Sequence, residues 1–424
     1  MARVVFTTWG SLGDLHPYLA LAVELKRRGH DPIVASVPVW RTNVEQDGME
    51  FRPIRPDVKP DDPQSRELVR RVLDERNGPE FLFKEMFAPE TRATYDDTLA
   101  AVDGADLLVS HQLPITAPIV AQRTGIKWVS GILAPLGLMS AHDPPTFGNA
   151  PWARNLAKLH PAIGAAVNRL GRGITNRWIE PIYSLREELG MARGGHPLFE
   201  GQHAPARVLA LFSRLLADVQ PDSPPQMVIT GFPFYDSAPH QRPADPALLR
   251  FLDAGDPPIV FTLGSSAVWV AGDFYAVSVA AAEALGRRAL LLVGENVEAM
   301  RAGMPDTIGV FDYAPHRTVM PRACAVVHQG GIGTTAQALR AGQPQLVVPF
   351  GQDQPDNARR VVKLGVGRTV SRGRYTRDRV AGELSKLVTD PSYSARAHSV
   401  GAQVASERGV ETACDEIERI ASGV

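Results

Sequence analysis

Residues 325–335, AVVHQGGIGTT, combine an apolar strand pattern with a glycine-rich turn and decide the fold. Ala325–His328 has the composition of a buried parallel strand, and a helix-forming run follows at residues 336–341. Glycines let the backbone approach a ligand closely, and free amides at a helix N-terminus attract anions. Because His328 and Thr334 add side-chain donors, the stretch predicts a diphosphate site. The alternative is a sharp structural turn beside a buried histidine.

A second polar segment, residues 349–357, follows the next apolar run, residues 346–348. Both segments therefore lie at the same edge of a parallel sheet, beyond the carboxyl ends of the strands. Asp353 and Gln354 offer acceptors and donors that suit sugar hydroxyls. The alternative is a polar turn that opens a helix, capped by Asp356 or Asn357.

The N-terminal half shows the same alternation of strands and helices. An apolar run at residues 4–6 leads into the glycine loop 10–14, and an amphipathic segment then ends at Gly29 before a second run, residues 33–35. This order predicts a parallel βαβ unit. A helix is expected at residues 117–124.

The alternation restarts after a stretch rich in Pro, Gly and Asp, so we predict two doubly wound Rossmann-like α/β domains that face each other across a cleft. The expected boundaries are an N-terminal acceptor domain at 1–225, a linker at 226–247, a C-terminal donor domain at 248–402, and a helix at 403–424 that packs back on the first domain.

Composition excludes several classes of protein. The 424 residues include 45 basic and 46 acidic residues, and no long basic run, which disfavours a nucleic-acid partner. The two cysteines, Cys324 and Cys414, have neither metal-ligand nor disulfide spacing. No apolar run approaches ~20 residues, so no transmembrane segment is expected. We expect a cytoplasmic protein, monomeric or homodimeric, without a metal.

The order of strand, glycine loop, helix, strand and Asp-Gln across residues 313–357 resembles the donor signature of family 1 glycosyltransferases, which have the GT-B fold. Residues 10–17, GSLGDLHP, are similar to the N-terminal loop of the bacterial antibiotic and macrolide members. Residues 230–233 and 272–275 resemble lipid rhamnosyltransferases.

The resemblance implies an inverting hexosyltransferase. It would move a hexose or deoxyhexose from a UDP- or dTDP-sugar to a hydroxyl of a small apolar acceptor, such as a natural product, phenolic, macrolide, sterol or hydroxy-lipid. The nucleotide-sugar is a co-substrate, and no permanently bound cofactor is implied. UDP-glucose is the default donor, and a thymidine-linked deoxysugar is the second candidate.

The resemblance also implies roles for donor-site residues. His328 and Thr334 contact the diphosphate, Tyr313 stacks on the base, and His316 lies near the ribose. Gln337 stands where many plant members have a ribose-binding glutamate, which leaves uridine selectivity open. The implied donor residues are Ser11, Gly13, Ser265, Tyr313, Ala314, His316, His328, Gly330, Gly331, Gly333, Thr334, Gln337, Asp353 and Gln354. The alternatives are a core aromatic at Tyr313 and a solvated histidine at His316.

Three residues are candidates for the catalytic base. Asp14 lies three residues before Pro17, where plant members have a histidine, and His111 follows a predicted strand where they have an aspartate. The exchange suggests a dyad in inverted order, in which His111 takes the acceptor proton and Asp14 fixes its tautomer, or Asp14 acts alone. His16 is the third candidate. The alternatives are that Asp14 only caps a helix starting near Pro17 and that His111 only lines the acceptor pocket or packs.

The acceptor is expected to contact apolar segments of the N-terminal domain near residues 81–87, 132–142 and 152–178. The candidate contacts are Phe83, Phe87, Leu133, Leu136 and His142, each of which has a core position as its alternative. Two other functions compete. A nucleotide-sugar epimerase would convert the donor without any acceptor, and a non-catalytic partner protein would only bind it.

Overall fold

The computed structural model describes residues 1–58, 63–236 and 244–423. The chain forms two compact units: unit 1 comprises Met1–His240 and Glu407–Val424, and unit 2 comprises Gln241–Ser406. Each unit contains one parallel β-sheet with helices.

Unit 1 has a seven-stranded sheet in the order β3-β2-β1-β4-β5-β6-β7, in which all neighbouring strands are parallel. The strands are β1 Arg3–Thr7, β2 Asp31–Ser36, β3 Glu50–Pro53, β4 Leu107–Ser110, β5 Lys127–Ile132, β6 Arg207–Ala210 and β7 Met227–Ile229. The central strands are apolar because both of their faces are buried. The last strand lies inside the stretch that the sequence assigns to the linker.

The helices of unit 1 follow the strands along the chain. They are α1 Leu12–Arg27, α2 Arg41–Gln46, α3 Pro63–Val72, α4 Gly78–Glu80, α5 Thr91–Ala101, α6 Ala117–Thr124, α7 Pro151–Ala157, α8 Pro161–Thr175 and α9 Glu180–Glu188. A π-helical turn spans Phe81–Phe87, and 3-10 turns span Pro38–Trp40, Pro135–Leu138, Asn176–Trp178 and Glu200–Gln202.

Unit 2 has a six-stranded parallel sheet in the order β10-β9-β8-β11-β12-β13. The strands are β8 Ile259–Thr262, β9 Ala289–Leu292, β10 Ile308–Phe311, β11 Ala325–His328, β12 Gln345–Val347 and β13 Gly367–Thr369. The strand order reverses between β8 and β11, the position at which doubly wound sheets bind ligands.

The helices of unit 2 are α10 Pro246–Asp253, α11 Gly264–Ala267, α12 Phe274–Ala284, α13 Val297–Arg301, α14 His316–Val319, α15 Ile332–Arg340, α16 Gln354–Lys363, α17 Arg377–Thr389 and α18 Pro391–Ser406. Its 3-10 turns span Val268–Val270, Met320–Arg322 and Arg372–Arg374. The final helix, α19 Gly409–Ser422, belongs to unit 1 and packs on α1, where the Cys414 thiol donates to the Leu21 carbonyl at 3.6 Å.

Two helices begin earlier than the sequence suggests, and only the first of them has side-chain capping bonds at its start. Helix α1 begins at Leu12 rather than near Pro17, since Ser11 and Asp14 form a capping box. Helix α16 begins at Gln354, with Asp353 at the N-cap, so Asp356 lies within the helix. Asp356 is fully buried and pairs with Arg360 at 2.7 Å.

In the described part of the chain, no single helix is long and apolar enough to cross a membrane. The bent pair Gly264–Val270 and Phe274–Ala284 satisfies that criterion only jointly, by length and composition.

Candidate donor site and catalytic dyad

The predicted donor residues of unit 2 follow neighbouring strands at one edge of its sheet. His328 ends β11 and is in register with Thr262 of β8 and Val347 of β12. The loops after these strands, and after β10, therefore emerge at the same carboxyl edge.

His328 is completely buried, and both nitrogens of its imidazole ring bind protein groups. The Gly330 N–H donates to Nδ1 at 3.1 Å, so a neutral ring carries its proton on Nε2 and donates to Oε1 of Gln345 at 2.9 Å. Burial lowers the pKa of His328 to about 4, although the Gln345 contact acts in the opposite direction. Direct contact of His328 with a diphosphate would require one of these bonds to break.

Gln329, which sequence reasoning missed, points into the glycine loops. Its side chain is 4% exposed, and its Oε1 has no hydrogen-bond partner among the described residues. A Cβ at Gly264 would lie 2.4 Å from Nε2 of Gln329, and one at Gly331 would lie 2.9 Å from it. The Gln329 amide therefore lies against both loops. The position of Gln329 directly after His328 in the glycine motif was the signal in the sequence that could have indicated its role.

The N-terminus of α15 opens directly from the glycine loop. Gly331 is its N-cap and provides no side-chain hydrogen bond, and the first helical bond runs from the Thr335 N–H to the Gly331 carbonyl. The N–H groups of residues 332–334 thus form the free end of the helix, which attracts anions. Thr334 lies in this turn, and its hydroxyl is 3.4 Å from where a Cβ of Gly264 would stand.

The residues after β10 occupy different environments. Tyr313 is 44% exposed, so its ring is not a core aromatic, whereas Ala314 is buried. His316 begins α14, and burial lowers its pKa to about 4. On α15, Oε1 of Gln337 accepts from Arg340 at 2.8 Å.

Asp353 and Gln354 form the turn beside the glycine loop. The Asn357 side-chain amide donates to Oδ2 of Asp353 at 2.6 Å and to the Gly330 carbonyl at 2.9 Å, which joins the two loops. Gln354 is buried, and its Oε1 accepts the N–H groups of residues 350 and 351. Ser265, in the loop after β8, is exposed.

Asp14 of unit 1 lies in the first turn of α1. Its Oδ2 accepts from the backbone N–H of Ser11 at 2.8 Å and from the Ser11 hydroxyl at 3.1 Å, and the same hydroxyl accepts from the Gly13 N–H. Gly10 has a φ of +130°, and a Cβ there would lie 2.3 Å from Oδ2. The loop therefore requires glycine and fixes the carboxylate.

His111 lies beside Asp14 because β1 and β4 are neighbouring strands. Its Nε2 is 3.9 Å from Oδ1 of Asp14, which is too long for a hydrogen bond but close enough for charge coupling. The His111 side chain is 6% exposed and that of Asp14 is 28% exposed. Burial lowers the pKa of His111, while the Asp14 carboxylate and a backbone contact with Trp9 raise it. The structure thus brings both predicted members of the dyad together.

His16 faces another part of unit 1. Its ring stacks on Tyr235 with centroids 5.0 Å apart, and the Tyr235 hydroxyl bonds to Asp47.

The five candidate acceptor residues divide between core and surface. Phe87 is 1% exposed and packs against Trp9, and Leu133 is also buried. Phe83 and Leu136 are half-buried, and His142 is exposed.

The segment that contains Leu136 lies close to the dyad along the sheet edge. The side-chain amide of Gln112, the residue after His111, donates to the Gly137 carbonyl at 3.3 Å. A cavity of about 630 Å³ lies beside residues 138–141, and neither Asp14 nor His111 lines it.

No group of three or more His, Cys, Asp or Glu side chains in the described ranges is arranged to hold a metal ion.

The fold and site define a class of protein, and comparison with solved structures agrees. The glycosyltransferase VinC in complex with dTDP superposes with a TM-score of 0.70 at 22% identity and full coverage of both chains. Two parallel-sheet α/β units with this likeness make the protein a member of the GT-B fold class.

Sequence comparisons then place the chain within that class. Residues 4–95 match the Glycosyltransferase family 28 N-terminal domain, and residues 279–418 match the Erythromycin biosynthesis protein CIII-like C-terminal domain. The O-mycaminosyltylonolide 6-deoxyallosyltransferase of Streptomyces fradiae is 32% identical over 98% of this chain and 97% of its own. The vancomycin aglycone glucosyltransferase of Amycolatopsis orientalis is 28% identical over 96% and 94%. The chain belongs to the antibiotic glycosyltransferases and is a sugar transferase.

Proposed function

We propose that the protein transfers a hexose or deoxyhexose from a dTDP- or UDP-sugar to a hydroxyl of a small, largely apolar natural product, with inversion at the anomeric carbon. One observation carries the proposal: the uncapped N-terminus of α15 opens between two glycine loops, with the buried amide of Gln329 against both. Backbone amides and an uncharged side-chain donor are well suited to a diphosphate.

The donor contacts in this proposal extend from the diphosphate outward. The N–H groups after Gly331, the Gln329 amide and the Thr334 hydroxyl bind phosphate oxygens, with the exposed Ser265 as a further ligand. His328 supports the loop through its bond from Gly330.

The base and the sugar would bind on either side of the diphosphate. The exposed ring of Tyr313 stacks on the base, Ala314 offers backbone groups, and His316 and Gln337 contact the ribose. Asp353 binds sugar hydroxyls, while Gln354 shapes the turn through its own bonds to backbone N–H groups.

The reaction we propose is a single displacement. The acceptor oxygen attacks the anomeric carbon, the bond from that carbon to the diphosphate oxygen breaks, and the acceptor proton passes to the dyad of Asp14 and His111. Oδ1 of Asp14 is the proposed proton acceptor, because Oδ2 is committed to the capping box and Asp14 is more exposed than His111. Donors at α15 stabilise the negative charge on the departing nucleoside diphosphate.

The relatives' names favour a dTDP-deoxysugar over UDP-glucose as the donor. One relative is a 6-deoxyallosyltransferase, and VinC was solved with dTDP, whereas the vancomycin aglycone enzyme is a glucosyltransferase. The same names favour a polyketide or glycopeptide aglycone as the acceptor class.

The test is a matrix of dTDP- and UDP-sugars against macrolide, glycopeptide, phenolic and hydroxy-lipid acceptors, with products detected by mass spectrometry. The proposal expects a product heavier by one sugar, formed only with an acceptor and with release of the nucleoside diphosphate. Conversion of the donor to another nucleotide-sugar without any acceptor would contradict it.

A further inference from the structure

Helix α8 of unit 1 turns its small and polar residues towards the protein and exposes its large apolar residues. Its inward face carries small and polar residues: a Cβ at Gly164 would lie 2.6 Å from the Ala141 carbonyl, and the Asn168 amide donates to the Met139 carbonyl. On the same side Arg172 pairs with Glu200 at 2.8 Å, and the Thr175 hydroxyl lies 3.1 Å from a ring nitrogen of His196. These contacts fix which face of the helix is buried.

The outward face of α8 is apolar. Ile163, Leu170 and Ile174 are spaced at i, i+7 and i+11, so they share one side of the helix and form a stripe away from the buried face. All three are between 39% and 56% exposed.

Helix α7 repeats this arrangement. Its alanines, Ala153 and Ala157, are buried, whereas Trp152, Leu156 and the following Leu159 are 46% to 65% exposed. The two helices pack together as a hairpin, here called the α7–α8 hairpin, with the six exposed apolar side chains as its apolar stripe. Single exposed apolar residues are normal, but six of the eleven exposed large apolar residues in the described part of the chain lie on this one hairpin, which indicates a binding surface.

The charge of the hairpin identifies what it binds. Residues 151–178 contain five of the 45 basic residues of the chain and none of its 46 acidic residues. They are Arg154, Lys158, Arg169, Arg172 and Arg177. Lys158, Arg169 and Arg177 are exposed and take part in none of the ion pairs between described residues. The rest of the chain is acidic overall, so this surplus is local.

An apolar stripe with Trp and Leu, flanked by Lys and Arg without acidic residues, is the composition of a helix that lies in a lipid interface. A second copy of the chain is disfavoured, because an isologous contact would bring the exposed cations Lys158, Arg169 and Arg177 of both copies together. Anionic headgroups complement both the charge and the apolar side chains.

We propose that the α7–α8 hairpin binds the surface of an anionic lipid bilayer, with its apolar stripe in the headgroup region and its basic side chains on lipid phosphates. The attachment is peripheral, since the apolar side chains reach only the boundary between headgroups and acyl chains. The sequence assigns residues 152–178 to the acceptor, and this proposal replaces that assignment for the exposed face of the hairpin. It does not depend on the proposed donor.

The experiment is sedimentation of the full chain with phosphatidylcholine vesicles, with and without phosphatidylglycerol. The apolar variant combines Leu156→Ser, Leu159→Ser and Leu170→Ser. Its matched control combines Val219→Ser and Val362→Ser, two exposed apolar residues outside the hairpin. We expect wild type to bind only the anionic vesicles and the apolar variant to lose at least tenfold in affinity. The control should bind like wild type.

A charge variant tests the second half of the proposal. It combines Lys158→Gln, Arg169→Gln and Arg177→Gln, and its control combines Arg123→Gln and Arg250→Gln, which are exposed elsewhere. The charge variant should also lose at least tenfold, and added salt should weaken wild-type binding, because exposed charges are screened.

Urea unfolding verifies that every variant is folded. Equal binding to neutral vesicles, or equal losses in the controls, overturns the proposal. So does a hairpin-dependent dimer in sedimentation equilibrium without any vesicle binding, since it identifies a second copy as the occupant.

Discussion

Replacing Asp14 with asparagine separates the two uses of this side chain. The carboxylate caps α1 through Oδ2, while Oδ1 faces His111 at 3.9 Å. The asparagine side chain would keep an oxygen of the same size for the Ser11 N–H but would lose the ability to take a proton. The cap therefore largely survives, and the proposed base is removed.

The magnitudes follow from these two roles. General-base assistance contributes typically ~10²–10⁴ in rate, which corresponds to about 3–5 kcal/mol in the activation barrier. Asp14 is the third residue of the helix in the capping box of Ser11, and an asparagine oxygen there can still accept the Ser11 N–H. The variant loses mainly the favourable interaction of the charge with the helix dipole, so the free energy of unfolding should fall by only about 1 kcal/mol. A large loss of kcat should thus accompany a small loss of stability.

The assay is kcat with the best donor and acceptor pair, together with urea unfolding of the same preparation. Asp106→Asn is the matched control, because Asp106 also accepts a backbone N–H, that of Arg3 at 2.7 Å, at the opposite edge of the sheet. The control should keep wild-type turnover. If Asp14→Asn retains kcat within tenfold of wild type, Asp14 is not the base.

Three further predictions concern pH and the glycine loop. Because burial lowers the pKa of His111, kcat/KM should fall only below pH 6.5, and His111→Gln should move that fall to lower pH. A loss of kcat/KM that begins above neutrality would refute this. Gly264 has a φ of +65° and lies against Gln329, so Gly264→Ala should weaken nucleotide binding at least tenfold in calorimetry and lower the free energy of unfolding by about 1–3 kcal/mol. Gly373→Ala is the control and should change neither quantity, because an added Cβ there meets no atom within 4 Å. The pKa of His328 is about 4 in the folded protein and 6.5 in the unfolded chain, so the unfolded chain binds the proton first as the pH falls. The free energy of unfolding should therefore decrease from pH 6.5 towards pH 4, by up to about 1.4 kcal/mol per pH unit. A free energy of unfolding that stays constant over this range contradicts the prediction.

The strands were the most predictable part of the fold, for a physical reason. Strands buried on both faces must be apolar throughout, and Ala325–His328 was predicted with its observed bounds. The strands β3, β6, β7, β10 and β13 were not predicted, because each has only three residues or has its apolar run shortened or interrupted by a charged residue or glycine.

The directions of the side chains in the glycine loop could not be predicted from the sequence. His328 and Gln329 are adjacent, and successive side chains at a strand end point to opposite sides. Only the structure shows that the His328 ring is enclosed by Gly330 and Gln345 while the Gln329 amide faces the loops.

Helix α8 shows a different limit of pattern reasoning. Its apolar periodicity is plain in the sequence and would ordinarily indicate the buried face. Close packing of Gly164 on the Ala141 carbonyl puts the small-residue face inside instead.

The most direct test of the central claim is calorimetric titration of dTDP and UDP into wild type, Gln329→Ala and Gln403→Ala, the last being an exposed glutamine on α18. If the glycine loop and α15 bind the diphosphate, wild type and Gln403→Ala bind the nucleotide equally, and Gln329→Ala binds at least tenfold more weakly. Wild type that binds neither nucleotide, or Gln329→Ala that binds as tightly as wild type, would contradict the account.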